Sequence, residues 1–398
     1  MIDDGAVSSR KPVYHLVVNG KDISQIVRPL LMRLSLRECR GGEADQLDIT
    51  LDDSQGNLAL PPKGASVSLQ LGYEHTGLVD KGTFTVDEVE HSGAPDVLNI
   101  RCRSAELRGT LRQRASASWH GVTLGDVVRD IAAKNNMVAN VDEDLAEIKL
   151  QHVDQTNESD VHFLTRIGGQ YDATATVKKG RLVVLPIGST KNASGKEMAS
   201  ITLERTDGDQ HRYHAAARDS YSGVRAYWHD AKAAKKVAVI SGTEENMKTL
   251  RDSYASEADA LAAAQAEQAR IVRGEATFEL SLAVGQPALM VQTPVRVRGF
   301  KKEIDGTGWL AKTVEHSLDD NGLTTRLELE RKGGGVVDAG GGDWDLELEQ
   351  PEDGDGADDD DDGGGGETDP GWEGSTDPGW DGGSTDPDWG GGATDLVD

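Results

Sequence analysis

Three groups of residues in this 398-residue chain have types and spacings that could do chemistry. His211 and His214 lie at i and i+3, a spacing that on a helix sets two imidazoles side by side for a metal ion. The segment around them reads as strand or loop, and a zinc site needs three or four donors. No cysteine or third histidine sits nearby in the chain. Asp358, Asp360, Asp362, Gly363 and Asp369 fall at positions 1, 3, 5, 6 and 12 of a calcium-loop spacing. No helical pattern precedes Asp358, Pro370 follows at once, and Gly365 takes the usual apolar position. A run of five Asp meets such a spacing by composition alone. Cys39 and Cys102 are too few for a disulfide framework, and each sits on an alternating pattern that suits a small buried apolar residue. There is no Gly-x-Ser-x-Gly elbow, no phosphate loop and no His-Glu-x-x-His. Carboxylates such as Asp87 and Glu88 read as solvated strand faces. The expectation is a protein that is not an enzyme, with no catalytic residue, no metal and no cofactor.

Charge narrows the partners. The chain carries 42 Lys and Arg against 69 Asp and Glu, a formal charge of −27. No basic residue follows Lys332, and residues 338–398 hold 22 of the acids, so residues 1–337 carry only −5. Phosphate neutralisation needs clustered Lys and Arg, so specific nucleic-acid binding is not expected. No apolar run approaches the ~18 residues of a membrane span, and the acidic N-terminus lacks the apolar stretch of a signal peptide. A soluble protein made in a cytoplasm is expected.

The elements follow from periodicity. Over residues 13–110, Leu47, Ile49 and Leu51 alternate with polar residues, as do Val67, Leu69, Leu71 and Tyr73, and then Leu98, Ile100 and Cys102. Asn19-Gly20 is a hairpin signal, because both residues accept positive φ. About six such strands predict a small barrel or sandwich. Between 119 and 190 the period changes. Thr123 and Asp126 form a capping pair ahead of Leu124, Val127, Val128 and Ile131. Ser159 caps a second helix with Val161, Phe163, Leu164 and Ile167 on one side, closed by Gly168-Gly169, and a strand pair follows around Lys179-Gly180. Strands return over 211–331, interrupted by helix-forming composition from about Asn246 to Arg273. The closing hairpin turns at Asp319 to Gly322. The first and third regions share a pattern that suggests a structural duplication.

From Gly333 the chain is low in complexity, and a segment so rich in Gly and Asp is expected to be disordered. Inside it Thr-Asp-Pro-x-Trp occurs three times, ending at Trp372, Trp380 and Trp389. Spaced Trp residues in an acidic segment read either as short docking motifs for a basic partner or as part of a disordered appendage with no specific partner.

Several stretches, in order, resemble the phage late control protein D family. The most specific runs from Gln155 to Ile167, with Gln155, Asn157, Glu158, Ser159, Asp160, Phe163, Leu164 and Arg166 at the family's "Q-x-N-E-S-D-x-x-F-L-x-R-L" positions. Ala44-Asp45-x-Leu47-x-Ile49 and Leu71-Gly72-Tyr73 are similar to its first domain. Gly285-Gln286-Pro287, Val297-x-Gly299-Phe300 and Trp309 are similar to its third. The resemblance spans roughly residues 12–331.

It implies a mainly β fold with an α+β insertion: two tube-type β-barrel domains flanking a small α+β module; the disordered acidic C-terminal tail, expected from composition, departs from the family. The expected domains are 1–113, a tube-like barrel; 114–198, an α+β module with a lysin-motif-like helix; 199–335, a second barrel with an Ala-rich helix; and 336–398, the tail. The resemblance also implies a structural baseplate hub of a contractile tail. The hub would be a homotrimeric ring that adapts a six-fold tail tube to a three-fold spike and forms part of a conduit for DNA or a tape-measure protein. Spike, tube, tape-measure and baseplate wedge proteins are the implied partners, and the virion is the implied location. Thr123 to Asn136 also resembles the first helix of lysin-motif domains, so a peptidoglycan-binding module remains the alternative reading.

Overall fold

The computed structural model describes residues 10–41, 44–104, 109–178, 180–189, 198–216, 221–230 and 233–333. The acidic tail, its Asp run and Trp372, Trp380 and Trp389 lie outside the described residues, as does Lys179.

The first region is antiparallel β. Its elements are β1 (Pro12–Val18), β2 (Lys21–Asp22), α1 (Ser24–Val27), β3 (Leu31–Cys39), β4 (Gln46–Asp52), β5 (Ser66–Tyr73), β6 (Gly77–Ser92) and β7 (Val97–Ser104). Asn19 and Gly20 take φ of 48° and 80°, the tight turn their side chains allow, and Val18 pairs with Lys21 across it. The strands follow the order β3-β4-β7-β6-β5-β1-β2. Leu34 and Leu36 at one end and Tyr14 and Leu16 at the other share one core with Leu47, Ile49, Val67, Leu69, Phe84 and Cys102. Strands at both ends of a path meet in one core only when the sheet curls upon itself.

The second region is the α+β module. It contains β8 (Arg114–Thr123), α2 (Leu124–Lys134), β9 (Val138–Val141), α3 (Glu143–Ala146), β10 (Lys149–Ser159), α4 (Asp160–Gln170), β11 (Ala173–Lys178) and β12 (Arg181–Pro186). The capping box forms as the sequence predicts: Thr123 Oγ1 accepts from Asp126 N at 3.1 Å, and Asp126 accepts from Thr123 N at 2.9 Å. Leu124, Val127, Val128 and Ile131 are all buried, together with Phe163, Leu164 and Ile167 of α4. Helix α4 does not stop at Gly168-Gly169 but continues to Gln170, and the left-handed residue is Asp172, at φ 50°. Gly168 is there for contact rather than termination, because a Cβ would stand 2.9 Å from the carbonyl oxygen of Ala173.

The third region comprises β13 (Ile201–Glu204), β14 (Gly208–Ala215), β15 (Gly223–Asp230), β16 (Lys235–Gly242), β17 (Met247–Tyr254), α5 (Glu257–Gly274), β18 (Ala276–Leu282), β19 (Pro294–Arg298), α6 (Lys302–Asp305), β20 (Trp309–Asp319) and β21 (Gly322–Arg331). The helix expected from about Asn246 starts only at Glu257, capped by Ser256, whose hydroxyl accepts from Asp259 N. Met247–Tyr254 is instead a strand, parallel to β15. Backbone pairing in the folded protein overrides the mild helix preference of this stretch. β16-β15-β17 is a separate three-stranded sheet whose Val224 and Ala226 pack on Ala260 and Ala264 of α5. The remaining strands surround Phe278, Leu280, Val295, Val297, Trp309 and Leu327.

The two β regions are joined by hydrogen bonds. β20 pairs antiparallel with β3 from Thr313 opposite Cys39 to Asp319 opposite Arg33, so one 13-stranded sheet runs through both. Leu318 and Leu323, at the tip of the last hairpin, sit in the first region's core. Beside this seam lies a buried polar cluster. Lys81 Nζ donates to Glu38 Oε2 at 2.8 Å and to Leu289 O at 3.0 Å. His316, fully buried, lies with Nε2 3.2 Å from Leu289 O and 3.6 Å from Glu38, and Nδ1 2.8 Å from Thr325 Oγ1. Nε2 faces only acceptors and so carries a proton, and because burial keeps the imidazole neutral, Nδ1 accepts from the Thr325 hydroxyl. Burial pushes the Glu38 carboxyl up, but the His316 hydrogen bond and the Lys81 charge outweigh it and hold the group at about 2. Burial drives His316 below its ordinary 6.5, against the opposing pull of Glu38.

Both groups therefore bind a proton more readily in the unfolded chain. Their stabilisation is complete above the unfolded values of 6.5 and 4.5 and is lost as pH falls toward the folded ones. Urea denaturation from about pH 7 down to about pH 5 should show a falling midpoint, with a flatter slope in His316→Gln. Equal slopes for the two proteins would contradict the buried neutral imidazole.

Candidate assembly interface

The residues of the Gln155–Arg166 motif come together around the junction of β10 and α4. Asp160, with no exposed surface, accepts hydrogen bonds from Lys134 Nζ at 2.9 Å, Asn135 Nδ2 at 2.9 Å and Gln155 Nε2 at 2.8 Å. Gln155 also donates to Glu158 O, which clasps the bulge between Gln155 and Glu158 where Asn157 takes φ 49°. Ser159 caps α4 by accepting from His162 N at 3.3 Å. Glu158 pairs with Arg166 and with His162, and burial raises its carboxyl less than these partners lower it. Arg166 also donates to Asp154 O at 2.7 Å and lies over the Phe163 ring. That ring stacks on Trp119 with centroids 5.1 Å apart, and Leu164 is buried in the same core. The motif residues tie helix α4 to the β8–β10 ribbon, so their work is architectural. Asn157, in a left-handed turn, and Arg166 are the exposed members of the motif.

The module is anchored to the rest of the fold by charge. Arg273, at the end of α5 and 4% exposed, donates to Asp172 Oδ2 at 2.7 Å and reaches Glu330 at 3.4 Å. Arg40 donates to the second oxygen of Glu330 at 2.9 Å. One network thus joins β3, α5, β21 and the module. Lys178 pairs with Asp45, and Tyr171 donates its hydroxyl to Asp259 at 3.0 Å. Burial and the neighbouring Asp259 carboxylate push that phenol far up the scale.

What such a framework offers to partners is edge and surface. Among the described residues β14 pairs only with β18, and seven of its eight residues are exposed. An unpaired edge of that length is a template for another strand. Val284 and Met290 are exposed apolar residues flanking the loop that reaches the first region, where Tyr73 donates to Gly285 O at 2.9 Å. A cleft of about 950 Å³ opens between the module and the small sheet, lined by residues of both signs that include Asp154, Arg166, Lys248 and Asp259.

His211 and His214 are on β14, where a three-residue step sends them to opposite faces, and His211 packs edge-on to Phe300 at 5.0 Å. Asp87 and Glu88 make exposed pairs with Arg103 and Arg101 across the strands. The sequence reading missed the Glu38–Lys81–His316 cluster and the Arg40–Glu330–Arg273–Asp172 network. The first had a visible signal. Glu38 continues the inward alternation of Leu34 and Leu36, and His316 falls between Val314 and Leu318.

Comparison with known proteins agrees with this architecture. The family model for the phage tail baseplate hub (GPD) matches residues 27–322. A probable baseplate hub protein of Escherichia phage 186 is 41% identical over 372 residues, covering 83% of this chain and 95% of the relative. One from Escherichia phage P2 is 40% identical over 365 residues, covering 82% and 94%. Among solved structures, the 43 kDa tail protein of prophage MuSo2 from Shewanella oneidensis has the same fold. It aligns with TM-score 0.61 at 16% identity, covering 81% of this chain and 98% of that one.

The architectural reading of the motif has a measurable contrast. Asp160→Ala removes the buried acceptor shared by Gln155, Asn135 and Lys134 and should cost about 2–3 kcal/mol. Arg166→Ala removes a half-exposed pair and should cost about 1 kcal/mol or less. Urea titration of both variants measures this, and equal losses would count against it.

Proposed function

The chain belongs to the phage tail baseplate hub family, and on that premise we propose that it is the structural hub of a contractile-tail baseplate. In this reading it assembles as a homotrimer in the virion and performs no catalytic step. The observation that carries the proposal is the single 13-stranded sheet through both β regions. A chain that holds two β units in fixed relation gives six such units in a trimer. Six units match a six-fold tube on one side, while three chains match a three-fold spike on the other.

The domain division at 1–113, 114–198 and 199–335 is part of this proposal. Each has its own core, with residues 223–254 and α5 forming a further small layer in the third. The open edge of β14 supports strand pairing between neighbouring chains. Spike, tube, tape-measure and baseplate wedge proteins are the proposed partners. No helix among the described residues is long and apolar enough to cross a membrane.

A reconstruction of the hub bound to its spike tests the arrangement. It should show three chains per spike and a lumen lined by acidic or neutral side chains, since phosphate contacts would hold a DNA cargo back. A different stoichiometry, or a continuous Lys and Arg lining, would overturn the adapter reading.

The Thr-Asp-Pro-x-Trp repeats are proposed as docking motifs for a basic partner in the same assembly, repetition raising effective concentration. Deleting residues 338–398 should then impair assembly and infectivity. Particles that assemble and infect as before would rule the motifs out.

A further inference from the structure

The outward face of the β8–β10 ribbon carries four linked polar side chains that the hub reading leaves unused. His152 stands opposite His120 across the ribbon, and Asp154 opposite Ser118. Ser118 Oγ donates to Asp154 Oδ1 at 2.6 Å, and Asp154 Oδ2 lies 2.8 Å from His152 Nε2. His152 Nδ1 is 2.9 Å from His120 Nδ1, and the two rings stack with centroids 4.5 Å apart. All four residues are exposed.

The protonation pattern follows from which atoms can donate. An ionised carboxylate only accepts, so His152 Nε2 carries the proton facing Asp154. His152 Nδ1 is then a bare lone pair, and a single proton on His120 Nδ1 fills the short gap between the rings. This is the arrangement of a metal-binding imidazole, whose distal N–H is held by a carboxylate that sets its tautomer and raises its basicity.

We propose that His120 and His152 form a two-nitrogen chelate for a divalent transition-metal ion, with Asp154 as the outer carboxylate orienting His152. The ion takes the place of the shared proton. The His120 proton moves by way of solvent from Nδ1 to the ring's own Nε2, with no net release, His152 keeps its Nε2–H on Asp154, and both Nδ1 lone pairs bind the metal. With metal–nitrogen bonds of about 2.0 to 2.1 Å, nitrogens 2.9 Å apart subtend roughly a right angle at the ion. Adjacent positions of a tetragonal Cu²⁺ or Ni²⁺ site have that angle, whereas tetrahedral zinc needs the rings to part slightly. Among the described residues no three or more His, Cys, Asp or Glu side chains converge on a metal position, so water completes the coordination. Arg166, the nearby cation, donates to the Asp154 carbonyl and is paired with Glu158.

Titrating the full-length protein with Cu²⁺ at neutral pH, by calorimetry and by electron paramagnetic resonance, tests this. The wild type should bind one ion with nitrogen ligation, and His120→Gln and His152→Gln should each abolish that binding. Asp154→Asn, which leaves both ligands in place, should weaken it by about 10- to 100-fold. Ni²⁺ should raise the thermal midpoint of the wild type, because it crosslinks two strands, and leave the His variants unmoved. Carboxylates of the Asp-rich tail supply oxygen donors only. A spectrum with oxygen ligands only, or His variants that bind as the wild type does, would overturn the proposal. All four residues are exposed, so the variants should fold, and unchanged circular dichroism checks that they do.

Discussion

The pairing of β3 with β20 is the constraint on which the rest of the structure depends. The two strands are separated by nearly the whole folded chain, yet they meet in unbroken register from Cys39 to Arg33. The ladder joins regions far apart in the chain. It fixes their relation with the same backbone bonds that build each region. Packing follows the ladder. Once β20 lies beside β3, the tip of its hairpin delivers Leu318 and Leu323 into the first core. The Lys81 ammonium, from the first region, meets the Leu289 carbonyl of the third.

The buried charges at this seam make sense as registration. Removing Glu38 and Lys81 from water costs several kcal/mol per ion, and their attraction offsets that only when every partner is in place. A displaced seam would leave Glu38 without His316 and Lys81 without the Leu289 carbonyl. The same logic holds at the module, where Arg273 bridges Asp172 and Glu330. Pinned at these two points, the first region, the module and the third region are held in one fixed relation.

Most of the local structure was legible from residue spacing. The alternation of Leu47, Ile49 and Leu51 becomes a half-buried strand, and the Thr123–Asp126 pair becomes a working capping box. Each depends on a few consecutive residues. The Asn246–Tyr254 stretch failed for the complementary reason. Its composition is compatible with helix, and its strand exists only because β15 offers a parallel edge. The Gln155–Arg166 motif was visible as a motif, but its task of satisfying the buried Asp160 was not. Two of its three donors, Lys134 and Asn135, come from the end of another helix.

By itself, then, the sequence determined most of the strands and helices, which faces they bury and which family the chain resembles. Period, caps and turn residues act over a few positions and carry that content directly. Even part of the buried polar cluster was written there, since Glu38 and His316 lie in phase with apolar neighbours. Only the tertiary structure decided that the two β regions form one sheet, that Arg273 joins three parts of the fold, and that His120 faces His152. Those are pairings between residues 32 to nearly 300 positions apart. Strand register sets them, and register is chosen by the sum of contacts across a whole face rather than by any local signal.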